Sequence, residues 1–167
     1  MYTTVIDAGA SLVAQYGVFA LLVVFALEGA LVGKVIPTRT LFVAAVLAIG
    51  TTTAGMLSVA AAAVAGATAG QVVLFALVRH TDVASDRFAG EATDESSRVA
   101  RWFDRWGLSA VALSNTLPVA RGTLTVPAAM TDENAVRFSA SSMVGSSIYA
   151  CGLLAVGGGI ELLLTIA

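Results

Sequence analysis

Glu28, Arg39, Asn115 and Arg121 are the residues best placed to do chemistry, because each lies in or beside apolar sequence that proline interrupts. They fall in two runs, Glu28…Pro37-Thr38-Arg39 and Asn115-Thr116-Leu117-Pro118-Val119-Ala120-Arg121. Proline frees backbone groups, and an ionised side chain at membrane depth costs roughly 2.5 to 3.5 kcal/mol on insertion scales. In lipid, such runs survive only where they line a protein-enclosed or watery cavity. The two runs therefore mark the functional site, with Pro37 and Pro118 as the breakers of two hairpins.

The elements that position these residues are membrane helices. Hydrophobic residues make up 57% of the chain and charged residues 12%, too little polar surface for a soluble domain of this length. With a formal net charge of -2, nothing points to a nucleic-acid partner. Cys151 is the single cysteine, which excludes an internal disulfide and a cysteine-based zinc site, and its simplest use is packing. His80 has no second histidine or cysteine near it, so no metal and no cofactor is expected. The N-terminus lacks a basic region and its apolar run is too long for a signal sequence, so no cleaved leader is expected. Lys34 is the only lysine, an arginine bias that fits a GC-rich or halophilic source.

A single transmembrane domain over 1–167 divides as follows. A transmembrane helix is expected over about 10–32, a re-entrant hairpin over 35–50, and a second transmembrane helix over 54–78. The last contains Gly66-Ala67-Thr68-Ala69-Gly70, a small-xxx-small face that suits close packing within the chain, with homo-oligomerisation as its other use. Residues 79–106 hold five arginines and six acids, and read as a cytoplasmic loop. Phe88, Val99, Trp102, Phe103 and Trp106 give its latter half an amphipathic, interfacial character. A second re-entrant hairpin follows over 107–130, then a transmembrane helix over 138–159 that breaks at Gly157-Gly158-Gly159. Tracing sides from the cytoplasmic loop, the first helix runs in to out, the third segment out to in, and the two hairpins enter from opposite faces. The expected fold is thus an all-α membrane protein, an inverted repeat of a re-entrant helical hairpin plus a transmembrane helix.

At these residues the chain resembles the DedA family, whose domain is also called VTT or SNARE-associated. Pro118 and Arg121 keep the places of R-F-x-P-x-x-R, Ala128-Ala129-Met130 stands at the A-G-M position, and Phe138 opens a helix with Ser142, Gly145 and Tyr149 at the N, G and W positions. In the first half Glu28-Gly29 resembles E-N-G, Pro37-Thr38-Arg39 before Leu41-Phe42-Val43-Ala44 resembles P-G-D/E before L-L-F-V-A, and Gly66 to Gly70 resembles G-x-x-x-G-D. The chain departs from the pattern at Asn115 for an arginine, Arg39 for an acid and Gln71 for an aspartate, and the usual last helix is largely missing. Total positive charge at the site is kept, which fits either Arg39 taking over the lost arginine's task or a paralogue that has lost the usual chemistry.

The resemblance implies a transporter of lipid-linked phosphate, a polyprenyl phosphate or a phospholipid, in the cytoplasmic membrane. The residue chemistry agrees, since a lipid phosphate crossing a bilayer needs a cation at depth and guanidinium matches phosphate at two points. Arg121, Arg39 and Asn115 are the expected phosphate-binding residues, and Glu28 is the group able to bind and release a coupling proton. A static buried ion pair that only orients the hairpins is the plainer use of the same charges. A small-molecule or cation antiporter acting through Glu28, and a noncatalytic membrane scaffold, are the competing functions. An intramembrane enzyme lacks support: there is no G-x-S-x-G, no H-E-x-x-H, and no histidine at membrane depth.

Overall fold

Three successive breaks set the first half of the fold. Gly17 adopts φ 56° and ψ -133°, a conformation open to glycine, and α1 (Val18–Gly29) starts immediately after it. α1 is apolar almost all round and 12 residues long, about 18 Å at 1.5 Å per residue, which is half a bilayer core. α2 (Thr38–Ile49) has the same length and returns alongside it, with Phe42 edge-on to Phe25 at 6.0 Å between ring centroids. α3 (Thr53–His80) then runs for 28 residues, capped by Thr52 Oγ1, which accepts from Gly55 N at 3.0 Å, and closed by Arg79 and His80 at its negative end. The computed structural model describes residues 15–30, 37–49, 52–81, 101–118 and 120–166, and reveals no strand among them. The expected amphipathic positions Phe88 and Val99, and residues 31–36 between the expected first helix and first hairpin, lie outside the described residues.

The second half repeats the plan. Gly107 takes φ 53° and ψ -135°, almost the angles of Gly17, and again follows an aromatic residue, Trp106 in place of Tyr16. α4 (Leu108–Thr116) leads to a turn at 117–124, a short helix α5 (Thr125–Ala129) returns, and α6 (Ala135–Ile166) is the second long helix. Pro127 falls in the first turn of α5, where its missing N–H costs nothing. α3 and the 26-residue stretch Ala135–Ile160 are both long and apolar enough to cross a membrane.

Glycine lets each hairpin lie on its long helix. A methyl group on Gly66 would strike the Leu22 carbonyl, one on Gly70 the Ala26 carbonyl, and one on Gly29 the Ala67 carbonyl. The small-residue face of α3 is therefore occupied by α1 of the same chain. In the second half a methyl on Gly145 would strike the Ala112 carbonyl, and Ser141 Oγ donates to the Leu108 carbonyl. Leu22–Gly66 and Ala26–Gly70 rise together in number, as do Leu108–Ser141 and Ala112–Gly145, so α1 runs parallel to α3 and α4 parallel to α6. Gln71 with Ser142 and Phe75 stacked on Phe138 run in opposite order, so α3 and α6 are antiparallel and the second unit is inverted relative to the first.

This arrangement differs from the sequence expectation in three places. The stretch 10–32 is expected to span in the direction opposite to the third segment, yet α1 runs parallel to α3. α1 is too short to span and forms the first arm of a hairpin whose second arm is α2. The expected break at Gly157-Gly158-Gly159 is absent, because α6 continues to Ile166; three glycines cost about 1 kcal/mol each relative to alanine, which the long helix absorbs, and Gly157 fits against Val46. Cys151, expected in packing, is exposed on α6.

Two apolar cores result. One joins Leu21, Phe25, Phe42, Val46, Val59 and Ala150, the other Phe75, Val78, Phe103, Val111, Leu124 and Phe138. Along α3 and α6 the stretch between them is polar, with Thr68, Gln71, Ser142 and Ser146 all buried. Phe19, Val23 and Leu27 on α1, Val73 and Leu77 on α3, and Val144 and Ile148 on α6 are exposed. Apolar faces of this extent are the lipid-facing surface of an all-α membrane protein.

Candidate functional site at the hairpin tips

Glu28 stands in the last turn of α1, where Gly29 brings the tip of the first hairpin against α3. Arg121 stands in the turn between α4 and α5. That turn is built by Leu117 N donating to Ser114 O, Thr123 N to Ala120 O and Thr125 N to Gly122 O, with Gly122 at φ 75°. The two tips meet. Arg121 Nη1 lies 3.7 Å from Glu28 Oε2, with side-chain exposures of 6% and 21%. Both atoms are buried and neither has a hydrogen-bond partner among the described residues. Opposite charges hold them, but their donor and acceptor capacity is unspent.

Aromatic rings complete the arginine's surroundings. Its guanidinium carbon sits 4.4 Å from the Tyr149 ring centroid and 5.6 Å from that of Phe25, a cation–π contact from each unit of the fold. Arg39, at the start of α2, is exposed and reaches across to the second tip, where Nη2 donates to the Pro118 carbonyl at 2.8 Å. Arg39 therefore ties the first hairpin to the breaker of the second. Pro37 precedes α2 and its carbonyl accepts from Leu41 N, the first bond of that helix.

Asn115 is placed differently. It is 1% exposed, and its amide is taken up by protein groups: Nδ2 donates to Gln71 Oε1 at 2.9 Å, while Oδ1 accepts from Gln71 Nε2 at 3.0 Å and from Gly122 N at 3.1 Å. Ser142 Oγ adds a bond to Gln71 Oε1 at 2.7 Å. This network pins the turn that carries Arg121 to both long helices. Beside it, Thr68 Oγ1, Thr125 Oγ1 and Ser146 Oγ are buried without partners among the described residues.

Four residues of the site carried no role in the sequence reading. Gln71 and Ser142 are polar residues inside spanning helices, a signal in themselves. Tyr149 stands at the W position of the resembled pattern, while Phe25 gave no signal, since an aromatic in an apolar helix reads as packing.

Antiparallel units of hairpin and long helix, meeting through buried opposite charges, define a class of membrane protein with its polar centre at two hairpin tips. The VTT domain model matches residues 36–158, and the chain belongs to that family. Over 60 residues it is 35% identical to undecaprenyl phosphate transporter A of Staphylococcus aureus, a match covering 36% of this chain and 30% of that protein's length. No solved structure matches the chain.

Proposed function

We propose that this chain is a multi-pass transporter of the cytoplasmic membrane, not an enzyme, and that it moves a lipid-linked phosphate, a polyprenyl phosphate or a phospholipid, from one leaflet to the other. The Arg121–Glu28 pair carries the proposal: a buried guanidinium with an unspent donor, held by a carboxylate at the meeting point of two opposed tips. A phosphate oxygen is a stronger, two-point partner for that guanidinium than a carboxylate at 3.7 Å. When phosphate takes Arg121, Glu28 loses its cation and takes up a proton or another cation in exchange, which couples the two movements. Arg39 offers a second guanidinium at the tip junction. Asn115 serves the same site by fixing the turn through Gly122.

In this reading the hairpins are re-entrant. α3 runs from outside to inside, so the first hairpin opens outward, the second opens inward, and residues 79–106 are cytoplasmic by their arginine content. The relative named for undecaprenyl phosphate transport supports the substrate class. The test is reconstitution of the full chain into liposomes with a leaflet-accessibility assay for a polyprenyl phosphate and for a phospholipid. Faster redistribution of either supports the proposal. Ion flux with neither lipid moving would overturn it in favour of an antiporter, and no flux of any kind in favour of a scaffold.

A further inference from the structure

A cleft of about 870 Å³ lies between the helical residues 101–106 and the second hairpin. Arg101, Trp102 and Arg105 line one wall, and Ala120, Thr123 and Leu124 the other. Phe103, 5% exposed, is driven into the core that contains Leu124 and so fixes the helix against the hairpin. Arg101 and Arg105 are four residues apart and therefore share a helix face. Among the described residues neither forms an ion pair. Asp104 also lines the cleft, so two guanidiniums against one carboxylate leave this wall with one net positive charge.

The lining is amphipathic in a specific way: cations with the Trp102 ring along one wall, and a largely apolar trench along the other. Free inorganic phosphate has no use for the trench, and an uncharged lipid none for the arginines. The trench residues also belong to the turn that carries Arg121, which follows Ala120 directly in the chain and is separated from Thr123 by Gly122. We propose that this cleft is a loading site for the phosphate end of a membrane lipid, with phosphate on Arg101 and Arg105 and the first carbons of the chain against Ala120 and Leu124. The inference rests on the lipid-phosphate reading of the function and adds to it a binding step outside the Arg121–Glu28 pair.

The experiment uses the full chain in phosphatidylcholine nanodiscs with Trp106→Phe, so that Trp102 alone reports by fluorescence. Geranyl phosphate is titrated beside geraniol and inorganic phosphate. A saturable change with geranyl phosphate is expected, weakened about tenfold or more by Arg101→Gln with Arg105→Gln, the size of losing charge-assisted hydrogen bonds. Ala120→Phe fills the trench without touching charge and should weaken binding comparably. Unchanged affinity in the double arginine variant, or equal affinity for inorganic phosphate, overturns the proposal. Binding that persists in a chain showing no lipid flux would sink the transport reading alone; flux without this binding would sink the loading site alone.

Discussion

Gln71 and Asn115 close a ring of two amide hydrogen bonds, Gln71 Nε2 to Asn115 Oδ1 at 3.0 Å and Asn115 Nδ2 to Gln71 Oε1 at 2.9 Å, with both side chains at most 1% exposed. These are two of the positions at which the sequence resemblance to the DedA pattern implies a charged residue, an aspartate and an arginine. In this chain the two positions hold a neutral pair of matched donors and acceptors. A neutral pair avoids the desolvation penalty of two buried charges.

Asn115→Arg alone should lower stability by about 3–5 kcal/mol, because it leaves a buried guanidinium against an amide. Adding Gln71→Asp should recover most of that loss, whereas adding Arg39→Asp should not, since Arg39 reaches Pro118. Thermal melting of the detergent-solubilised variants, compared as a double-mutant cycle, measures the coupling. Equal recovery from either second change would refute the pairing.

Arg121→Lys keeps the charge but loses the planar two-point match to phosphate and the stacking on Tyr149. Lipid flux in liposomes should fall at least about tenfold, the scale of one charge-assisted hydrogen bond. Glu28→Gln should leave the chain folded and abolish the response of flux to an imposed pH gradient. Unmodified flux with an unmodified pH response in both variants would return these residues to a purely structural role.

Glycine substitutions should split by location. Gly66→Ala and Gly70→Ala push α1 off α3 at the Leu22 and Ala26 carbonyls and should abolish folding or flux. Gly159→Ala meets nothing within 4 Å and should stabilise α6 by about 0.5–1 kcal/mol through helix propensity. Melting temperatures moving in the same direction for all three would contradict the packing described.

Gly17→Ala and Gly107→Ala meet no neighbour within 4 Å, so their cost comes only from the positive φ of 56° and 53°. Each should destabilise by about 1–2 kcal/mol, and by equal amounts, because the two backbones are the same. A large difference between the two would show that the repeated starts of α1 and α4 are not energetically equivalent.

With Cys151→Ser, a cysteine at exposed Asp104 should react with an impermeant thiol reagent only in inverted vesicles. Labelling of intact cells would reverse the assigned orientation.

Composition, period and breakers sufficed for the all-α membrane character, and the cost of charge in lipid made Glu28, Arg39 and Arg121 stand out without any coordinates. Gly66 and Gly70 announced a close helix contact by their spacing alone. These are local or one-dimensional signals, fixed by residue type and interval. What faced those residues was a matter of three dimensions. That α1 pairs with α2 instead of spanning depends on Gly17 and Glu28-Gly29 limiting it to half a bilayer, and on α3 receiving it in parallel. That Asn115 binds Gln71, and not a substrate, depends on the inverted register of α3 and α6, which brings together residues 44 apart in the chain. Tyr149 and Phe25 flank Arg121 for the same reason: the contact joins both units of the fold, and hydropathy, which scores each residue with its chain neighbours, contains no term for it.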